Sequence, residues 1–561
     1  MDLKAIDNRL MSVLDECSLP LLLEHSPSIY SLAKSPKRLQ ALRTYLNYSY
    51  KVKVGASKQQ IQEAQKAFLE RNEGNYEWTK KNLATLVKVR RSDRISCDGD
   101  RTTTLISLAK ALCHARLLRY KSPGKPSHGP GVSSNSPRFR IAKYESLWRD
   151  VPWSLRRFAE WFVPSPSFAN EFTPMGWSSI AKLRAVPKDM RGPRLIAPHS
   201  VSHMWIQQAI SDRISNLLVS DERWMKIHPV ADKLVSTIQF TEQAYNQSMA
   251  LFASTRPELY ATLDLSDASD RVPWSLVWTI LPRRLAADLA ACRARYVEID
   301  QKLYRLHMHA PMGSACCFPV LSLVVWSLCC ASILLHRNRS LHHRYINNCD
   351  VDAVYVFGDD VVLSSDAVHD VTSDLLLCNL LVNKKKSFSS RGGFRESCGC
   401  DAYNGAVITP LRLKVDGVSS ADDLLSLVAH ANALAENGFD ETALLCASLI
   451  KRCAHEIGIS HLIGATVDKL YTSCLTFMTE SQCKTWNSEM AVKTRWNRAL
   501  QRHEIRVLQY ADRHNRVDST LDGRSRLFEA LLGNRAPHQL GWVRNDPDLA
   551  VTWVPTWSPR K

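Results

Sequence analysis

Residues 351–366 read Val-Asp-Ala-Val-Tyr-Val-Phe-Gly-Asp-Asp-Val-Val-Leu-Ser-Ser-Asp, an apolar run interrupted by a glycine and two adjacent carboxylates. β-Branched and aromatic residues on both sides favour strands and glycine tolerates a tight turn. The segment therefore predicts a β-hairpin with Gly358, Asp359 and Asp360 at its tip. Adjacent carboxylates with no local lysine or arginine repel one another, and a hard divalent cation held by oxygen relieves that repulsion. Taken alone, a polar hairpin tip in solvent reads the same way. Upstream, Glu258-Leu-Tyr-Ala-Thr-Leu-Asp-Leu-Ser-Asp-Ala-Ser-Asp-Arg271 begins as a strand and ends in Asp264, Asp267 and Asp270. The strand would deliver Asp264 at its end, and a turn would return Asp270 towards it. Carboxylates from separate elements are what a two-metal site for phosphoryl transfer requires. One ion activates an attacking hydroxyl and the other stabilises the leaving pyrophosphate. Asp267 and Asp270 also suit N-capping of a helix before Val272-Pro-Trp-Ser.

Other elements must hold these acids in place. Between the two acidic segments lies His309-Ala-Pro-Met-Gly-Ser-Ala-Cys-Cys-Phe-Pro-Val320, a Gly-Ser turn opening a long apolar helix. Gly313 can flex, and amides at a helix start suit contact with a nucleotide or template. Ala315 to Leu335 carries no charge, enough for a membrane span of ~20 residues. Its serines, Pro319 and cysteines, and its place between catalytic strands, predict a buried support instead, with no membrane span. From 258 to 415 strands, turns and this helix crowd together, the mark of an α+β core. Residues 121–137, rich in Pro, Gly and Ser, predict a mobile loop or linker. After the core, Ser420 with Asp422 and Asp423 resembles an N-cap. The apolar positions that follow stop at Gly438, and a second helix is predicted from about Glu441 to Gly458. In the last segment Lys484, Lys493, Arg495, Arg498, Arg502, Arg506, Arg513 and Arg516 interleave with Trp486, Trp496 and Tyr510, a mix suited to RNA or to a solvated helix face.

The chain of 561 residues carries a formal charge of +18 spread along its length. That favours a broad polyanion-binding surface, with nucleic acid the first partner to consider and an anionic membrane surface the second. Sixteen cysteines at this length are not a disulfide scaffold and lack the Cys-x-x-Cys pairs of zinc sites, so they predict reduced thiols in a cytoplasm. The first residues have no signal-peptide core, and export is not expected.

In order along the chain, Asp264-Leu-Ser-Asp-Ala-Ser-Asp270, Met312-Gly-Ser314 and Gly358-Asp-Asp360 resemble motifs A, B and C of viral RNA-dependent RNA polymerases. Asn383-Lys-Lys-Lys-Ser-Phe388, Phe394-Arg-Glu-Ser-Cys-Gly399, Asp401-Ala-Tyr-Asn-Gly405 and Val407-Ile-Thr-Pro-Leu-Arg412 resemble motifs D and E of one branch, the replicase catalytic (beta) subunit of the leviviruses, the single-stranded RNA phages. Val186-Pro-Lys-Asp-Met-Arg-Gly-Pro-Arg194 resembles their motif F. The resemblance implies a right-hand polymerase of fingers, palm and thumb, its antiparallel palm sheet carrying the Gly-Asp-Asp hairpin. The implied divisions are 1–250 for the N-terminal region and fingers, 251–412 for the palm, and 413–561 for a helical, basic thumb and C-terminal region.

By the same resemblance, Asp264 and Asp359 are implied as metal ligands with Asp360 auxiliary, holding two Mg2+ ions for which Mn2+ could substitute. Lys188 and Arg194 would hold the triphosphate, and Asp270 would read the ribose 2′-hydroxyl. Gly313 and Ser314 would contact the nucleotide. Relatives in this family carry Asn where this chain has Ser314, whose reach is shorter. Lys386 is the implied general acid, with Lys384 and Lys385 open as alternatives. Arg395 and Glu396 would lie near the primer or form a structural salt bridge. The implied activity is replication of a positive-strand phage genome from ribonucleoside triphosphates on an RNA template, in the cytoplasm of an infected bacterium. Host elongation factors Tu and Ts and an mRNA-binding ribosomal protein would be partners. Competing readings are a narnavirus- or ourmiavirus-like RNA polymerase of a eukaryotic host, a reverse transcriptase, which Gly358 and Asp270 disfavour, and a non-catalytic basic RNA-binding protein.

Overall fold

The computed structural model describes residues 36–48, most of 56–163, 180–337 apart from 190–191, 351–413, most of 415–456, and strand segments within 463–559. At its centre is a four-stranded antiparallel sheet built from β1 (Tyr260–Ser266), β2 (Tyr355–Phe357), β3 (Asp360–Ser364) and β4 (Leu381–Val382), in the spatial order β4-β1-β3-β2. Alternation along the strands divides its side chains between two faces. Leu263, Leu265, Val356, Val361 and Leu363 join the main core, whereas Tyr355 and Val362 pack with Met249 in a second cluster. Asp264 and Asp360, each two residues along from Thr262 and Val362, therefore share the second face. A slip of one residue would turn both acids into the core.

Helix α1 (Lys58–Lys81) opens on a capping box in which Ser57 and Gln60 satisfy each other's amides. It is followed by α2 (Arg101–Arg116), α3 (Val201–Ser220), α4 (Ala244–Thr255), α5 (Cys317–His336) and α6 (Val368–Leu377). α5 is the apolar segment read from sequence. Although long and apolar enough to cross a bilayer, it is almost entirely buried, packed by α2 and α6 under the sheet. Its Trp326 meets the buried Arg116 guanidinium at 5.0 Å, with Trp224 on the same cation at 5.4 Å. The described cysteines are free thiols.

The Pro/Gly/Ser-rich stretch departs from the expected mobile linker where it is described. Gly124 N–H donates to the Ala209 carbonyl of α3 at 2.7 Å, and Ser134 N–H donates to His199 at 2.9 Å. Asn135 accepts from the Val201 amide at 2.9 Å, capping the start of α3. Glycine at 124 lets the chain approach closely, since a Cβ there would fall 2.4 Å from Asp212 Oδ2. The N-terminal region is also tied to the far end of the chain. The helix Pro36–Tyr48 pairs Arg43 with buried Asp401, and its Gln40 donates to Thr409 O at 3.1 Å and Asn437 Oδ1 at 2.9 Å.

Helices Ala421–Glu436 and Asp440–Glu456 form the predicted αα-hairpin, turning at Gly438 with φ +74°; Ser420 lies outside the described residues. Beyond Glu456 the described segments are strands, not the expected helix: Ile463–Thr466 pairs with Leu475–Met478, and Arg502–Asp512 lies between Thr494–Asn497 and Val551–Pro559. The β-branched and aromatic content of stretches such as Val551-Thr-Trp-Val554 outweighs the basic spacing that suggested a helix. Lys484, Trp486, Lys493, Arg498, Arg513 and Arg516 lie outside the described residues.

Candidate active site

The hairpin tip is tighter than its sequence predicts. Gly358 and Asp359 alone form the turn, and Asp360 is already the first residue of β3, opposite Phe357. Gly358 has φ +68°, the conformation that a two-residue hairpin places on its first turn residue when that residue is glycine. Its amide donates to Ser322 Oγ at 3.1 Å, so one of the serines that interrupt the apolar α5 seats the hairpin turn. A Cβ at 358 would lie 2.4 Å from the Phe318 ring of the same helix.

Across the sheet, Asp360 stands directly opposite Asp264. Residues so paired have Cβ atoms about 4.5–5.5 Å apart, and like charges there are destabilising. Burial, then Asp264, raises the Asp359 carboxyl above its ordinary value, and burial, then Asp359, pushes Asp360 up to about 7. Asp270 belongs to the same locality: the Cys317 thiol at the start of α5 is pushed up to about 12 by burial and then by the carboxylates of Asp270 and Asp359. Asp267 stands at the N-cap position with φ 49°, but its side chain makes no capping bond. Arg71 of α1 reaches both Asp267 and Asp270.

Lys386 and Asn383 close the site from the β4 side. Lys386 Nζ is 3.3 Å from Asp264 Oδ1 and Asn383 donates to Oδ2 at 3.0 Å. Burial lowers the Lys386 ammonium, but Asp264, Glu396 and Asp360 outweigh it and the net shift is upward. The ammonium is therefore charged at neutral pH. The turn Asn383 to Lys386, closed by the Lys386 N–H to Asn383 O bond at 3.0 Å, brings this third lysine of the run to Asp264.

On the other side, strands Arg184–Asp189 and Gly192–Ile196 pair with Val186 opposite Arg194, and Lys188 and Arg194 are exposed on them. Arg194 lies close enough to Asp359 to pull its carboxyl back down. The hairpin is bolted to the Met312–Ser314 turn, because Ala197 N–H donates to Met312 O at 2.7 Å. Ser314 is buried and donates to Gln207 Oε1 at 3.1 Å, while Gln207 donates to the Cys292 carbonyl at 2.7 Å. Ser314 thus holds this turn onto α3. Arg395 makes no salt bridge with Glu396. Its buried guanidinium donates to the carbonyls of Tyr260, Phe394, Pro257 and Ser390 at 2.7–3.1 Å, which makes it a fastener for the strand Phe394–Ser397.

The donor set suits a hard divalent cation, since it offers carboxylate oxygens from two strands and a turn, and burial and neighbouring charge hold the Asp359 and Asp360 carboxyls above their ordinary pKa. Among the described residues no group of three or more His, Cys, Asp or Glu is arranged to hold a metal ion by itself. Magnesium commonly takes one or two protein carboxylates and completes its shell with substrate phosphates and water, so the Asp264 and Asp359/Asp360 pairing fits as the protein's share. A stability consequence follows. In metal-free protein Asp360 keeps a proton that the unfolded chain releases, so between pH 3.8 and about 7 its contribution lowers stability as pH rises. Thermal melting across this range should show a shallower loss in Asp360→Asn than in the native chain, and added magnesium at neutral pH should raise the native melting temperature more than the variant's. Equal slopes would contradict this electrostatic account.

Residues 175–436 match the family described as RNA replicase, beta-chain. The matched span is a little under half of the chain. It contains Lys188, Arg194, Asp264, Asp270, Gly313, Ser314, Asp359, Asp360 and Lys386. The chain is 30% identical over 197 residues to the RNA-directed RNA polymerase beta chain of Escherichia phage MS2, covering 35% of this chain and 33% of that one. It is 29% identical over 197 residues to the beta chain of Enterobacteria phage fr, with the same coverage of 35% and 33%. It is 30% identical over 251 residues to the RNA-directed RNA polymerase subunit beta of Qbeta virus (strain MX1), covering 45% and 38%. The match thus spans between a third and two-fifths of these relatives' length. A solved structure titled "RdRp complex" aligns at TM-score 0.36 and 12% identity over 62% of this chain and 32% of its own, too distant to bear on the fold.

Three contributors to this site were missed in the sequence. Arg71 and Asn75 act from a helix nearly two hundred positions upstream, with no local pattern to mark them. Gln207 had a signal: an amide on the buried face of α3, next to Trp205, Ile206 and Ala209. Such a buried amide needs partners.

Proposed function

We propose that this chain is an RNA-directed RNA polymerase of the levivirus type, a right-hand enzyme whose palm is the four-stranded sheet. The supporting observation is the register that sets Asp264 against Asp360 beside the Asp359 turn, within a span of the replicase beta-chain family. Residues 1–250 would supply fingers, 251–412 the palm and 413–561 the thumb and C-terminal region. Asp264 and Asp359, with Asp360, would hold the metal ions, magnesium or manganese. When bound, these would lower the pKa of the attacking 3′-hydroxyl and offset charge on the phosphates. Arg194 and Lys188 hold the incoming triphosphate, and Asp270 accepts the ribose 2′-hydroxyl. The 3′-hydroxyl loses its proton to solvent and its oxygen bonds to the α-phosphorus as the bond to pyrophosphate breaks, and Lys386 gives a proton to the departing oxygen.

Phage genome replication in the bacterial cytoplasm, with elongation factors Tu and Ts and an mRNA-binding ribosomal protein as partners, is the biological setting of this proposal. The test is incorporation of labelled ribonucleotides on an RNA template with magnesium, with bacterial elongation factors supplied. RNA-primed synthesis that needs template and divalent cation supports the reading; none under any template or factor condition removes it. The charge of +18 leads to a separate expectation for binding. With about five phosphates neutralised, affinity for single-stranded RNA should fall roughly 100-fold between 50 and 200 mM salt. Affinity unchanged across that range, measured by fluorescence anisotropy, would remove the basic surface from the argument.

A further inference from the structure

Arg71 lies on α1, outside residues 175–436, yet it contacts the residue proposed to read ribose. Its Nε and one terminal nitrogen both donate to Asp270 Oδ2, at 3.2 and 3.1 Å, and its other terminal nitrogen is 3.7 Å from Asp267. One turn along, Asn75 donates to the Asp270 carbonyl at 2.7 Å and accepts from Asn379 at 3.0 Å. Asn379 in turn donates to the Arg271 carbonyl at 3.1 Å. The Arg71 and Asp270 side chains are 17% and 14% exposed, so the pair is not one of the solvated surface bridges that contribute little.

The two carboxylate oxygens of Asp270 are thereby made unequal. Oδ2 is taken by the guanidinium, whereas Oδ1 accepts from Ser269 Oγ at 3.2 Å. A carboxylate oxygen has two lone-pair sites, so Oδ1 retains capacity for another hydroxyl. Burial favours the neutral acid at Asp270, and Arg71 is the strongest influence against it; a charged acceptor binds a hydroxyl more strongly than a neutral one.

We propose that Arg71 is a positioning residue for ribose selection: by fixing Asp270 through Oδ2, it presents Oδ1 to the 2′-hydroxyl of the incoming nucleotide. This rests on the polymerase reading above. A helix outside the family span thus sets the substrate preference of a residue inside it. The competing role is a strap that merely holds α1 on the sheet, and selectivity separates the two. A strap affects ribo- and deoxyribonucleotides alike, whereas a positioning residue affects only the substrate that carries the hydroxyl.

The experiment compares native chain, Arg71→Met and Arg71→Lys for single-nucleotide incorporation of a ribonucleoside triphosphate and its 2′-deoxy analogue, with thermal melting of each protein. Arg71→Met should lower the ribo-over-deoxy ratio of kcat/KM at least tenfold, through the ribonucleotide, with deoxynucleotide incorporation changed less than threefold. Arg71→Lys, which keeps the charge but not the forked geometry, should fall between, and it carries the test if Arg71→Met does not fold. A native ratio in whichever variants fold, whatever their overall rate, overturns the inference and leaves the polymerase reading standing. A native chain that incorporates neither substrate removes that reading and the inference with it.

Discussion

Asp359→Asn is expected to lower nucleotide incorporation by on the order of 10³-fold or more, with a melting temperature equal to or above that of the native chain. The two halves of this expectation have one cause. Asp359 sits in a turn of only two residues, beside Asp360 and within the field of Asp264, and burial and the Asp264 charge already hold its carboxyl above the ordinary value. Asn keeps the shape and removes one of the repelling charges, so folding loses nothing and the metal-free sheet is relieved. On the proposed reading, chemistry loses a ligand that would share a divalent cation with Asp264. A thousandfold loss corresponds to about 4 kcal/mol of transition-state stabilisation, far beyond what a solvated turn residue contributes. A structural aspartate predicts the reverse, a lower melting temperature with activity retained. Incorporation by the variant within tenfold of native, measured on the same template with magnesium, would remove Asp359 from the site.

The parts of this site that were legible in the sequence are those specified by neighbours in the chain. The strand before Asp264, the Gly-Asp-Asp turn, the stop at Gly438 and the buried character of Ala315–Leu335 follow from alternation, turn chemistry and uninterrupted apolarity. These are physical preferences of a few adjacent residues. The limits appear where a role depends on a distant partner. The Pro/Gly/Ser-rich stretch has the composition of a free loop, but its backbone bonds to α3, and composition carries no record of where an amide finds its acceptor. Arg395 reads as a residue near the primer or as half of a structural salt bridge; adjacent strand residues point to opposite faces, and the guanidinium spends its donors on four carbonyls. Ser314 reads as a nucleotide contact, while its hydroxyl is bound to Gln207 more than a hundred residues upstream. In each case the local residue type was informative and the partner was not.

Gly313→Ala should be the most damaging single methyl in the site, and a matched glycine elsewhere makes the reason testable. Gly313 has φ +111°, where side-chain-bearing residues are strained, and an added Cβ would lie 2.7 Å from both Ala197 C and O and 3.0 Å from Pro198 N. These are backbone atoms that no rotamer change can move aside. Strain and overlap together should cost roughly 3 kcal/mol or more. The cost reaches function because Ala197 follows directly on the strand Gly192–Ile196 that carries Arg194, and its amide is tied to Met312. Relief of the clash must push that hairpin, and with it Lys188 and Arg194, away from Asp359. The KM for nucleotide should therefore rise at least tenfold along with the fall in melting temperature. Gly74, in the middle of α1 on its exposed side, has nothing within 4 Å of an added Cβ. There the same change should stabilise by about 0.5–1 kcal/mol, because alanine is the better helix former. Opposite signs in the two melting temperatures, with KM moved only by Gly313→Ala, would tie the effect to the contact between the turn and the hairpin that carries Arg194. A Gly313→Ala protein with native KM would mean that the two elements move independently, and Arg194 would then have to be positioned by something other than this turn.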